Sequence, residues 1–233
     1  MSDAFLSSAE TYERQVSFNE KLYLASELLH PGLCIQVVFE TSCPVSEDLC
    51  PERLQAAIQA ATALNPGARL ILRGALGWLR WVARGPIPPL RVIKAWAKGQ
   101  PPPAELERPL CPKHGPTCEV VLTQAPQPVL VFRAFHGVMD ARGLMHFAEE
   151  VFRALRGEDL VGTNDASSDS EFVLAQVGAK RRPALRDDHA PLVSPQSAEG
   201  AGIRWRRYSL SGPVPGLVAK ISVALASYEQ ATR

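Results

Sequence analysis

Val131-Phe-Arg-Ala-Phe-His136-Gly-Val-Met-Asp140-Ala-Arg-Gly143-Leu144 is the stretch on which the reading of this chain turns. It begins inside Val129-Leu-Val-Phe-Arg-Ala-Phe135, a short run of β-branched and aromatic residues with strand character. It ends inside a helical pattern from about Arg142 to Arg156. Leu144, Phe147, Ala148, Val151 and Leu155 share one face there, with Glu149, Glu150 and Arg153 expected elsewhere. Gly157 is a natural stop. A sharp loop between the two elements puts His136 near the carboxyl end of a strand and Asp140 at the start of a helix. Open α/β sheets tend to carry their sites at such strand ends. An imidazole with an ordinary pKa near ~6.5 can take a proton from a hydroxyl, amine or thiol at neutral pH. Each residue also has an ordinary reading, Asp140 as a helix N-cap and His136 as a satisfied strand-end histidine, and spacing alone does not separate the readings.

Working outward, Cys118-Glu-Val-Val-Leu-Thr-Gln124 is a second strand-like run. Ala125-Pro126-Gln127-Pro128 lies between the two, which predicts a hairpin. Residues 33–39, after His30-Pro31-Gly32, read as another strand. Pro51 opens a helix carrying Leu54, Ile58, Ala61 and Leu64 at helical spacing, and Asn65-Pro66-Gly67 ends it. Residues 69–73 alternate like a half-buried strand. Between 74 and 110, Trp78, Trp81 and Trp96 sit among prolines, which predicts loops with short pieces of structure. From Glu158 to Gly200 the composition turns polar. Ser168 and Glu171 have capping-box spacing there, so a short helix is expected through Gly178. Residues 203–210 resume strand character. Gly212-Pro-Val-Pro-Gly216 introduces a last helix with Leu217, Ile221, Leu225 and Tyr228 on one stripe. No internal repeat is found.

Composition narrows the function classes. The chain has 233 residues, 46% of them apolar and 21% charged, enough to bury a real core without metal or disulfides. Lys plus Arg number 25 against 24 Asp plus Glu, a net charge of +1, which argues against gripping nucleic acid through phosphates. Arg204, Arg206 and Arg207 with Trp205 mimic a basic patch, but strand alternation makes them a solvated sheet face. The opening Met1-Ser-Asp-Ala-Phe5 has no signal-peptide pattern. Arg73, Arg80, Arg133 and Lys220 interrupt the apolar stretches, so no membrane-spanning run of ~18 residues is expected. Cys34, Cys43, Cys50, Cys111 and Cys118 read as reduced thiols of a cytoplasmic protein. Cys111, His114 and Cys118 lack the spacing of a structural zinc site, and His136, Asp140 and His146 lack the support of a metal triad, so no metal is expected. Glycine-rich phosphate loops and a Gly-x-Ser-x-Gly elbow are absent.

His-x-x-x-Asp after a hairpin, followed by Gly143 and an amphipathic helix, resembles the signature of the condensation-domain and chloramphenicol acetyltransferase-like acyltransferases. That superfamily includes the condensation domains of nonribosomal peptide synthetases. The motif likeness covers 131–156, and the order of elements extends it over roughly 10–230. The resemblance implies an α/β lobe with a mixed β-sheet and packed helices over 1–160, a linker or crossover over 161–201 and the start of a second lobe over 202–233. It implies His136 as the catalytic base, deprotonating an acceptor as it attacks an acyl thioester. Asp140 is implied to be structural, paired with an arginine that the sequence does not identify, and Gly143 to allow close approach of the helix. Acyl-coenzyme A or a phosphopantetheinyl carrier protein is implied as donor, with no tightly bound cofactor. Condensation domains usually show His-His-x-x-x-Asp-Gly. Phe135 and Ala141 depart from that pattern, and Ala141 is expected to restrict the turn. The Asp-Phe-Gly-Trp-like segment of the family's second lobe is absent. The rival expectation is therefore a truncated, non-catalytic remnant or an interaction protein that needs a carrier, a complementary lobe or its own copy as partner.

Overall fold

The structure, a computed structural model, describes residues 12–29, 32, 34–40, 49–75, 78–94, 96, 102–124, 128–177 and 215–232. Strand β1 (Glu13–Gln15) leads to α1 (Phe18–Leu29), β2 (Cys34–Glu40) and α2 (Pro51–Leu64). Short strands β3 (Ile71–Arg73), β4 (Arg80–Val82) and β5 (Leu90–Lys94) follow. Then come β6 (Cys118–Gln124), β7 (Val129–Phe135), α3 (Ala141–Arg156), α4 (Asp169–Val177) and α5 (Leu217–Thr232). Two compact units result. The first comprises Met1–Lys98 with Pro102–Lys180, and the second Gly99–Pro101 with Arg181–Arg233, whose described helix is α5.

The first unit is built on a four-stranded mixed sheet in the order β2-β7-β6-β5. β7 runs antiparallel to both β2 and β6, while β5 joins β6 in parallel. The expected hairpin strands are thus adjacent and antiparallel, with Val120 opposite Phe132 and Glu119 opposite Arg133. A second sheet, β1-β4-β3, is antiparallel and three-stranded.

Alternation on the sheet decides what each face meets. Val120, Leu122, Leu130, Phe132 and Ala134 pack with Leu54 and Ile58 of α2 and with Leu144, Phe147 and Val151 of α3. Burying each large apolar side chain contributes about 1.5–3 kcal/mol, so this layer carries most of the stability. Val121, Val129 and Val131 face the other way, onto Ile93, Trp96 and Leu106. On that face Glu119 is fully buried between Arg91, at 2.8 Å, and Arg133. Arg133 also donates to Arg108 O at 2.8 Å, and Arg91 to Glu105 O at 2.9 Å. Both guanidinium groups thereby tie the segment around residues 104–108 onto the sheet.

Helix boundaries follow local chemistry. Pro51 opens α2, since its missing N–H is an unneeded donor there. Gly157 closes α3 in the left-handed conformation at φ 70°. Ser168 and Glu171 exchange hydrogen bonds as the expected capping box of α4. Ser17 and Glu20 make a second capping box at the start of α1.

Three sequence expectations change. Glu150, expected away from the apolar face of α3, is 1% exposed, for reasons given below. Residues 74–110 hold short pieces of structure as expected, and in one of them, β4, Trp81 is fully buried, tilted against Phe135 at 6.3 Å between ring centroids. Arg69 belongs to a 3₁₀ turn, Pro66–Arg69, rather than to β3. Ala141 does not strain the motif loop, because it is the first residue of α3. The strand expected at 203–210, the basic run at 180–183, the turn at 125–127 and Cys43 lie outside the described residues.

Candidate active site

The chain reverses as it leaves β7, with Val138 N–H donating to Phe135 O at 3.0 Å. Gly137 is required in that turn: a Cβ there would lie 2.5 Å from the Phe135 ring. This geometry lifts His136 out of the sheet onto a cavity of about 490 Å³. The imidazole is partly buried and stacks on Tyr23 of α1, with centroids 4.3 Å apart and planes 20° from parallel. Its Nδ1 is buried and has no hydrogen-bond partner among the described residues.

Asp140 adopts extended backbone at the N-cap of α3 and accepts from Gly143 N–H at 2.8 Å. Among the described residues no arginine pairs with it. Arg14, on the same cavity, lies 2.5 Å from Glu20, and Arg69 Nε donates to Gly85 O at 3.1 Å. Gly143 does permit a close approach, but to the motif loop rather than to another element. A Cβ there would press Met139 Cγ at 2.8 Å and stand 3.4 Å from Asp140 Oδ1.

Further lining residues come from other segments of the chain. His146, on the second turn of α3, lines the cavity with Asn65, which ends α2. Its Nε2 lies 3.2 Å from Asn65 Oδ1. The Asn65 amide donates to Ala61 O at 2.8 Å and to Glu150 Oε2 at 3.3 Å. Glu150 also accepts from Gly162 N–H at 2.7 Å and Val161 N–H at 3.2 Å. Burial opposes its ionised form, but these donors outweigh burial and hold the carboxyl below the usual carboxylate range. Residues 161–163 are thereby pinned to α2 and α3, and Thr163 and Ser167 close the cavity. Nothing in the sequence marks Tyr23 or Arg14, and Asn65 reads only as the end of α2; their places in the site depend on distant segments meeting.

The other constellations do not assemble. Cys118 is buried in β6, where loss of solvent pushes its thiol up to about 12, whereas Cys111 is exposed. Among the described residues no three His, Cys, Asp or Glu side chains are grouped to hold a metal ion, and no helix is long and apolar enough to cross a membrane.

No protein-family model and no curated protein matches the chain. Solved structures do. A doubly substituted mutant of the starter condensation domain of rhizomide synthetase, in complex with C8-CoA, matches at a TM-score of 0.52 and 18% identity, over 68% of this chain and 40% of that one. The first condensation domain of the calcium-dependent antibiotic synthetase, in complex with a substrate analogue, matches at 0.52 and 16%, over 70% and 42%. The fold is therefore that of condensation domains, the chloramphenicol acetyltransferase-like α/β arrangement expected from the motif. The chain spans about two fifths of the length of the structures it matches.

Proposed function

We propose that this chain takes part in acyl transfer from a thioester to a hydroxyl, amine or thiol acceptor, with His136 as the general base. The observation that carries the reading is the position of His136: a strand-end imidazole opening onto a cavity of about 490 Å³, in a condensation-domain fold. With Nδ1 turned inward, Nε2 is the nitrogen assigned to the acceptor's proton. The acceptor's heteroatom attacks the thioester carbon and the C–S bond breaks. The departing thiolate recovers the proton from the imidazolium, so no covalent enzyme intermediate is needed. Asp140 acts as the cap that fixes where α3 begins and hence the loop bearing His136. The donor is an acyl-coenzyme A or a carrier-bound pantetheine thioester, a choice supported by the C8-CoA complex of the rhizomide domain.

A second reading, a partner-dependent interaction protein without turnover of its own, is favoured by one observation. Phe18 and Leu22 on α1, beside the cavity, are exposed, as are Phe172, Val173 and Leu174 on α4. Exposed apolar patches mark interaction surfaces, here for a complementary lobe, a carrier protein or a second copy. A thioester-release assay with light scattering separates the readings. Acyl transfer by the chain, alone or with partner, should fall ~10²–10⁴-fold in His136→Ala, the usual contribution of a positioned base. Turnover unchanged in His136→Ala would remove the catalytic reading. Self-association or partner binding without turnover would establish the other.

A further inference from the structure

The Glu150–Asn65–His146 chain fixes the protonation pattern of an imidazole in the cavity wall. Glu150 is fully buried and accepts from two backbone N–H groups, so it is an acceptor toward Asn65 as well. Asn65 must then direct its NH₂ group at Glu150 and at Ala61 O, both acceptors. Reversing the amide would set oxygen against two oxygens. Asn65 Oδ1 therefore faces His146, and His146 Nε2, at 3.2 Å, must carry the hydrogen. In the neutral ring the remaining nitrogen, Nδ1, is a hydrogen-bond acceptor. It has no partner among the described residues, and the side chain is only partly buried on the cavity wall.

We propose that His146 is a ligand-reading residue of this cavity, whose Nδ1 accepts a hydrogen bond from the amide N–H of the acyl donor's thiol arm. The assignment rests on the acyl-thioester reading above and adds what that reading lacks, a contact that recognises the donor rather than reacting with it. A pantetheine-type arm carries an amide two carbons from its sulfur. His136 and His146 line the same cavity, so a thioester whose acceptor is deprotonated by the first can bring its arm to the second. Because Asn65 and Glu150 hold the ring in one tautomer, the acceptor is pre-set before the ligand arrives. Preorganisation of this kind lowers the ordering cost of binding.

Two measurements test this. The first needs neither variant nor ligand: long-range ¹H–¹⁵N spectra of the full chain, taken well above the ordinary imidazole pKa of ~6.5. His146 should show a protonated Nε2 and a bare Nδ1, and the opposite tautomer or an even mixture would overturn the assignment. The second compares binding of S-octanoyl-N-acetylcysteamine with its ester analogue, in which oxygen replaces the amide N–H. The wild-type chain should prefer the amide about 3- to 10-fold, the range of one net hydrogen bond, and His146→Phe should bind both alike. Equal binding of both probes by wild type, or a preference that survives in His146→Phe, would overturn the role of His146 alone. Failure of both probes to bind would overturn the thioester reading and this assignment with it.

Discussion

Replacing Glu150 by leucine is expected to cost more than any surface-charge change on α3. The carboxylate accepts from Gly162 N–H at 2.7 Å, Val161 N–H at 3.2 Å and the Asn65 amide at 3.3 Å. Hydrogen bonds to a charged group contribute about 1.5–3 kcal/mol each when well made, and stranding a buried donor costs about 1–3 kcal/mol. One of the three is short. Val161 is largely exposed, so water can replace its partner, while leucine returns some apolar burial. The net expectation is a loss of about 2–4 kcal/mol, a large share of the ~5–15 kcal/mol of an ordinary domain. At ~2–4 °C per kcal/mol for a chain of this size, Tm should fall by roughly 5–15 °C. Urea denaturation at neutral pH reads the same change as a lower midpoint with unchanged slope. The pH dependence has a definite sign. The folded carboxyl sits below its ordinary value, so the unfolded chain binds the proton more tightly. Its stabilisation is full above the unfolded value of ~4.3 and is lost as pH falls through the folded value. Wild type should lose that increment in this acid window, and Glu150→Leu should not. A variant within about 0.5 kcal/mol of wild type at neutral pH, the scatter of an ordinary surface change, would refute the reasoning.

Three further outcomes are expected. Glu119→Leu leaves the buried Arg133 without its carboxylate and should cost about 3–5 kcal/mol, much of it recovered when Arg133→Leu is added; additive losses in a denaturation cycle would contradict this. Asp140→Ala should cost about 0.5–2 kcal/mol, whereas Asp140→Asn, an equally good cap, should stay close to wild type by thermal melting. Equal losses in the two variants would point to an ion pair rather than a cap. In native protein near neutral pH a thiol reagent should label Cys111 and leave Cys118 unmodified, and mass spectrometry showing early Cys118 labelling would contradict its burial.

The parts legible in the sequence are those where one period runs uninterrupted. β6 and β7 are seven-residue apolar runs split by prolines, and α3 shows its stripe through Leu144, Phe147 and Val151. β4 was illegible because three residues carry no period, and the prolines nearby masked a tryptophan that is wholly core. α1 was missed for the opposite reason. Phe18 and Leu22 point to solvent while Tyr23 and Leu24 pack inward, so no single stripe stands out. Glu150 was placed on the wrong side by its charge. It lies three residues after Phe147 and beside Val151, on the flank of the buried face, and its burial is offset by donors from distant segments, the N–H groups of 161 and 162 and the Asn65 amide. His136 and Asp140 could be picked out because they sit between two legible elements. Their companions Tyr23, Arg14 and Asn65 are separated from them by more than 60 residues, and His146, though noticed, read as an ordinary helix residue.

The cavity is thus held by two separate devices, and they divide its chemistry. One is local: the Gly137 turn and the Asp140 cap set His136 at the end of β7, and both are written within eight residues. The other is long-range: Glu150 joins α2, α3 and residues 161–162, and so positions Asn65, His146 and the Thr163 side of the cavity. The two devices share α3 but no side chain. Loss of the Glu150 anchor should therefore loosen the His146 wall while leaving the turn that presents His136 in place. Loss of the Asp140 cap should disturb His136 first. On the proposed reading, in which His136 is the base and His146 reads the ligand, reactivity and ligand recognition should then fail separately under mutation.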